Sequence, residues 1–213
     1  LPIVFRGPSG AVMQLAAQHS QSFESFYGHI PGLKVVMPST PYDAKGLLKS
    51  AIRDDNPVVF MESEAMYGKR GPVPEGEYLL PLGKADVKRA GSDLTLICWS
   101  KSVPLALEVA DALAEDGVRA EVIDMRTIRP LDFETLEASL KKTNRAVVVQ
   151  ESWPQASIGH WIAAELQQRL FDYLDAPIYV VSGKDSSYPY ARSLEALMPP
   201  SVQDVLTTVA RVL

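Results

Sequence analysis

Apolar positions along the chain follow two spacings. Short runs rich in aliphatic residues occur at Ile3-Val4-Phe5, Val58–Met61, Leu94–Cys98, 118–123, Ala146–Val149 and 178–181. Runs of this length, bounded by polar and turn residues, predict strands buried on both faces. Between them the spacing changes to three and four. Ala44, Leu47, Leu48, Ala51 and Ile52 fall at i, i+3, i+4, i+7 and i+8, one face of a helix, with Thr40 as N-cap, Pro41 in the first turn and Asp43 three residues after the cap. That helix is expected to stop at Asp54-Asp55-Asn56-Pro57, where proline ends helical propagation. Further helices are predicted at 103–115, 132–142, 157–170 and 201–213, the last capped by Ser201 with a stripe of Val202, Val205, Leu206, Val209 and Leu213.

Strand and helix therefore alternate, the wiring of an α/β fold with mainly parallel sheets and helices on both faces. The stretch 68–81, with three Pro and three Gly and neither period, reads as a linker between a first half and a second half that is a complete open α/β domain. A fully buried first strand needs neighbours on both sides, which the two residues before it do not supply. The chain accordingly reads as the C-terminal part of a longer polypeptide.

Composition narrows the class. The 213 residues are 46% hydrophobic and 22% charged, with a net charge of −5 and no basic cluster, which argues against a nucleic-acid surface. No apolar run is long enough to cross a bilayer. The single cysteine, Cys98, can form no internal disulfide, in keeping with a cytoplasm or a mitochondrial matrix. Nucleotide-binding glycine loops, zinc-finger spacing and the GxSxG elbow are all missing from the sequence.

The candidate chemistry lies at predicted strand ends. Arg6-Gly7-Pro8-Ser9-Gly10 stands at the exit of the first strand and leads to Ala17-Gln18-His19-Ser20-Gln21. A Gly/Pro loop that delivers a histidine beyond the carboxyl end of a parallel strand suggests a site, although His19 in such a loop can also simply satisfy backbone groups. Packing or solvent exposure accounts for His29 and His160. The carbonyls near Ala51, Ile52, Asp54 and Asn56, at the negative end of the Thr40 helix, are placed to coordinate a cation, or else are capped by water. Arg126 and Arg129, after the 118–123 strand, suit a carboxylate or phosphate but fit a subunit contact better. Glu151 and Trp153 share the same edge, where tryptophan most often packs an interface.

Several of these segments together resemble the β subunits of the pyruvate dehydrogenase first component, a thiamine diphosphate-dependent family with transketolase-like domains. They are 2–8, Ala16-Ala17-Gln18-His19-Ser20-Gln21, 51–59, 125–132, Leu174-Asp175-Ala176-Pro177 and Pro189-Tyr190-Ala191, and the resemblance spans essentially the whole chain. It implies that residues 1–70 are the tail of a pyrimidine-binding parallel-sheet domain, 71–85 a linker and 86–213 a transketolase C-terminal-type open α/β domain. His19 matches the family's active-site histidine. Ile3, Ala51, Ile52, Asp54 and Asn56 match the positions whose main-chain oxygens hold a structural potassium ion. The resemblance further implies an α2β2 oxidoreductase that decarboxylates pyruvate and passes the acetyl group to lipoyl arms on the way to acetyl-CoA. Thiamine diphosphate and magnesium would be shared with the α subunit, and a dihydrolipoyl acyltransferase core would dock on the C-terminal domain. The family's cofactor glutamate and its GDG-type motif match nothing in these residues, so the isolated chain is expected to be inactive. Branched-chain 2-oxo acid and acetoin dehydrogenase β subunits share these motifs and remain alternatives, as does a non-catalytic docking module.

Overall fold

A computed structural model of the chain describes residues 1–11 and 13–213. The first third carries β1 (Val4–Ser9), α1 (Ala16–His19), α2 (Glu24–His29), β2 (Lys34–Val36), α3 (Pro41–Ile52) and β3 (Val58–Ser63). Then come β4 (Asp86–Arg89), β5 (Leu94–Cys98), α4 (Ser102–Glu115), β6 (Ala120–Asp124), β7 (Thr127–Arg129), α5 (Phe133–Thr143) and β8 (Ala146–Val149). The chain finishes with α6 (Ile158–Leu170), β9 (Tyr179–Val181), α7 (Arg192–Glu195) and α8 (Val202–Val209).

These strands make two sheets, a four-stranded one in the order β1-β3-β2-β7 and a five-stranded one in the order β4-β6-β5-β8-β9. Parallel pairing dominates both, as the alternation predicts. The exceptions are two short strands at sheet edges, β7 against β2 and β4 against β6, which pair antiparallel. Neither follows from the apolar pattern. Each is three or four residues long, and β7 belongs by sequence to the second half while completing the sheet of the first.

Side-chain alternation distributes the buried strands between three layers. Val59 and Met61 of β3 join Val35, Ile97, Ile123, Val148, Leu136 and Ile162 in a core shared by both sheets. Val58 and Phe60 point the other way, onto Leu47 and Ala51 of α3. Leu96, Cys98, Val122 and Val147 face α4 and α8. Period two thus persists inside strands whose sequences show no alternation, because both faces are covered.

The structure sharpens four of these readings. The run Ile3-Val4-Phe5 begins β1, which among the described residues pairs with β3 alone and leaves Phe5 56% exposed. The residues Arg6, Pro8 and Ser9 lie inside β1, so the loop starts at Gly10 and not at Arg6. The last helix ends at Val209, and the turn after it buries Val212 while Leu213 is left half exposed. The linker is not loose against α3. Ser50 donates to the Leu80 carbonyl at 2.6 Å, Tyr78 stacks on Tyr42, and a Cβ at Gly46 would meet Leu80 Cγ at 2.6 Å, so only glycine lets the two approach.

The sheets are joined at Arg126. Between β6 and β7 its backbone takes the left-handed conformation at φ +56°, its amide donates to Asp124 Oδ1 at 2.9 Å and its carbonyl accepts from Met37 at 2.8 Å. Its guanidinium, inside the protein, donates to Asp43 Oδ1 at 2.8 Å and to Asp86 Oδ2 at 2.9 Å. Lys88 reaches Asp43 at 2.9 Å and Asp86 at 2.7 Å, and Ser39 donates to Asp124. Neither predicted role holds for this arginine. It is consumed by the chain's own carboxylates, and Arg129 likewise donates to the Gly28 carbonyl at 2.7 Å. The expected capping box is also only half made: the Asp43 amide donates to Thr40 Oγ1 at 3.1 Å, but the Asp43 carboxylate turns to Lys88 and Arg126. Burial pushes that carboxyl up, and Thr40, Lys88 and Arg126 more than offset it, leaving it below the usual range. Asp124, buried more fully, is pushed up to about 6.

Arg126→Met is expected to strand two carboxylates on one lysine and to lower stability by about 3–5 kcal/mol. Arg53→Ala, which breaks an exposed pair with Glu77, should cost less than about 1 kcal/mol. Chemical denaturation of the two variants distinguishes the network from surface pairing.

Candidate active site

The carboxyl ends of β1, β5 and β8 meet around the loop that leads to His19. β1 ends at Ser9, and Gly10 turns the chain at φ +88°, where a Cβ would lie 2.3 Å from the Glu151 carboxylate. Only glycine allows that approach. Glu151, just past β8, accepts from the Ala11 amide at 2.7 Å and from Tyr188 at 3.4 Å. Lys101, just before α4, pairs with Glu151 and donates to the Ala11 carbonyl at 3.2 Å. Further along, Gln14 donates its amide to Glu195 of α7 at 2.9 Å. The loop leaving the first sheet is therefore pinned at two points by side chains of the second.

That pinning delivers His19 at the end of α1, exposed, with no hydrogen bond to its imidazole among the described residues. Among the described residues the imidazole satisfies no backbone group, and the ring is open to a ligand. His29 ends α2 exposed, and His160 Nδ1 sits 2.8 Å from Ser157 Oγ at the start of α6. Trp153 packs inside the chain, against Ala11, Tyr188 and Met198, and donates to the Ser186 carbonyl at 2.8 Å.

At the end of α3, the Asp54 side chain accepts from Lys34 at 2.5 Å and from the Asn56 amide at 2.9 Å, tying the turn together. Burial pushes the Asp54 carboxyl up, and Lys34 and Asn56 hold it below the usual range. The Ile3 carbonyl accepts from Val58 at 2.9 Å and the Ala51 carbonyl from Asp54 at 3.3 Å. Among the described residues, the carbonyls of Ile52, Asp54 and Asn56 accept no turn or loop hydrogen bond from the backbone. The donor set is oxygen alone, which suits a hard cation. Among the described residues no group of three or more His, Cys, Asp or Glu could hold a metal ion, and no helix is long and apolar enough to cross a membrane.

One residue escaped sequence reasoning. Glu24 opens α2 yet is only 1% exposed, and its Oε2 has no partner. Burial pushes its carboxyl up to about 7, with the Glu151 charge adding to the effect. An acid in the first turn of a helix ordinarily faces solvent as a partner for the helix dipole, so its position alone carried no signal of burial.

The fold and the strand-end site define the class. The chain belongs to the transketolase family: residues 1–69 match "Transketolase, pyrimidine binding domain" and residues 83–205 match "Transketolase, C-terminal domain". The fold also matches a solved structure described as "Split gene transketolase, inactive beta4 tetramer", with a TM-score of 0.77 at 22% identity over 98% of this chain and 65% of that one. Within the family, the chain is similar to proteins named "Pyruvate dehydrogenase E1 component subunit beta". It is 52% identical to that of Rhizobium meliloti (strain 1021) over 99% of this chain and 46% of that protein. For Rickettsia conorii (strain ATCC VR-613 / Malish 7) the figures are 53%, 99% and 65%. The mitochondrial beta-2 subunit of Oryza sativa subsp. japonica is 47% identical over 99% of this chain and 57% of that protein. The chain thus spans about half to two thirds of the length of these relatives.

Glu24 sets a pH dependence with a definite sign. Its folded pKa of about 7 lies above the unfolded value of 4.5, so its contribution to stability is present below pH 4.5 and is lost as pH rises to about 7. Glu24→Gln should therefore gain about 3 kcal/mol on the parent between pH 4.5 and pH 8. Urea midpoints of both proteins across that window test this, and a constant difference would show that Glu24 does not titrate there.

Proposed function

We propose that the chain is part of the β subunit of a pyruvate dehydrogenase first component, which oxidatively decarboxylates pyruvate and transfers the acetyl group to lipoyl arms. The observation that carries this reading is identity of about half over 99% of the chain to proteins of that name from bacteria and mitochondria. In this reading His19 is the histidine at the substrate end of the cofactor channel. It ends the short helix α1 in the segment that follows β1 and is exposed, as that role requires. Its imidazole carries both a donor and an acceptor nitrogen, which suits proton transfer to a bound substrate. The thiamine diphosphate supplies the carbon nucleophile when bound. None of the 213 residues matches the family's cofactor glutamate, so the cofactor and its magnesium are held in the assembled α2β2 enzyme by groups outside them.

The carbonyls of Ile3, Ala51, Ile52, Asp54 and Asn56 hold potassium in this reading. The site brackets the start of β1 and the end of α3, and the Val58 amide at the start of β3 donates to the Ile3 carbonyl. Docking of the acyltransferase core falls to the C-terminal domain, where Val205 and Val209 fix α8 in place.

In a complete β subunit assembled with α, His19→Ala is expected to slow acetyl transfer to lipoate by roughly 10²- to 10⁴-fold while the tetramer stays folded. Flux within about twofold of the parent would remove the assignment. Potassium should raise the melting temperature above that seen with an equal concentration of tetramethylammonium, since an ion bound only by the native state stabilises it by mass action. Equal melting curves would remove the ion site.

A further inference from the structure

Behind the His19 loop lies an internal cavity of 10 Å³, lined by Ser9, Glu24, Ser100, Lys101, Ser102 and Glu151 among others. Four buried polar atoms on β1, at the start of α2 and in the adjoining loops have no partner: Glu24 Oε2 and the hydroxyls of Ser9, Ser20 and Ser152. Buried polar atoms are nearly always hydrogen-bonded to protein or to an ordered water, and this volume has room for about one water. A cation is disfavoured there, because the Lys101 ammonium already faces the same space.

Taken with the reading of His19 as the active-site group, on which this rests, we infer that Glu24 and a water bound in this cavity form a proton-taking site that positions the His19 segment. Neutral Glu24 leaves Lys101 to Glu151 and the Ala11 carbonyl, and the loop is pinned. Ionised Glu24 competes for Lys101 and draws it from Ala11. The proton is exchanged with solvent through the cavity water, and no bond other than O–H is made or broken.

The charged groups around Glu24 support this direction. From the β8 end comes Glu151, which an ionised Glu24 repels, and from just before α4 comes Lys101, which pairs with Glu151 and lines the same cavity as Glu24. Tyr188 donates to Glu151, and burial pushes its phenol up, so it stays neutral. Glu195 stands further out, holding Gln14. Between residues 10 and 23 His19 is the only titratable side chain, so the loop brings no other charge of its own. The carboxyl that takes the proton is Glu24, whose value of about 7 lies within the working range of an enzyme at neutral pH.

Hydrogen–deuterium exchange read by mass spectrometry on the full chain tests this at pH 6 and pH 8. After correction for intrinsic rates, a peptide spanning residues 10–19 should lose about tenfold more protection over that step than a peptide from β5, and Glu24→Gln should abolish the difference. Loss of the same protection in Glu24→Gln would overturn the inference. Ser152→Ala provides a second readout should Glu24→Gln not fold. It removes a buried hydroxyl whose dipole favours the ionised acid, so the midpoint should move to higher pH, and an unmoved midpoint counts against Glu24. His19→Ala should leave this exchange unchanged, so failure of the catalytic reading appears in turnover alone and failure of the positioning site in exchange alone.

Discussion

Arg126 makes the two sheets one structure. Its left-handed backbone turns the chain out of β6 and sends β7 to the edge of the other sheet, while its guanidinium holds Asp43 of the first sheet's helix and Asp86 of the second sheet's edge strand. Three carboxylates, Asp43, Asp86 and Asp124, face two cations, Arg126 and Lys88. Such a buried cluster gives little net stability over well-packed apolar residues, since desolvation offsets most of the attraction. What it imposes is geometry. Removing either cation leaves carboxylates uncompensated, so the relative placement of the sheets is specified by charge as well as by the shared apolar core.

The site depends on that placement. The loop after β1 is held by Glu151 and Lys101, and Glu151 lies 140 residues further along the chain from Ala11. With the sheets locked together, the carboxyl ends of β1, β5 and β8 open onto one region, and the short α1 presents His19 from it. Ligands in open parallel sheets collect at such strand ends, because loops there are free to vary while the strands stay rigid. The side chains that pin the loop are polar and partly buried, and the orphaned hydroxyls and the acid with a raised pKa lie behind them.

Much of the fold was legible in the sequence because the relevant signals are local. Apolar runs marked β3, β5, β8 and the α/β alternation, the Thr40, Asp132 and Ser201 caps fall where helices α3, α5 and α8 begin, and the Asn-Pro stop ends α3. The resemblance, carried by several segments at once, pointed to the family that the domain matches define. What stayed hidden is long-range. β4 and β7 are too short for a period, and their pairing depends on partners elsewhere in the chain. Arg126 looked like a subunit contact, or else an anion site, because nothing near it in sequence announces Asp43 or Asp86. Glu24, next to Phe23 in an aromatic-rich helix, gave no sign of burial.

The family match and the relatives at about half identity support the proposal that the chain is part of a thiamine diphosphate enzyme subunit whose substrate is pyruvate. The most direct measurement is turnover by the complete β subunit assembled with its α partner, across pyruvate, branched-chain 2-oxo acids and acetoin. Pyruvate should exceed the others in kcat/KM by at least about tenfold, the range that one or two methylenes contribute in a fitted pocket. Preference for a branched-chain substrate or for acetoin would contradict the account.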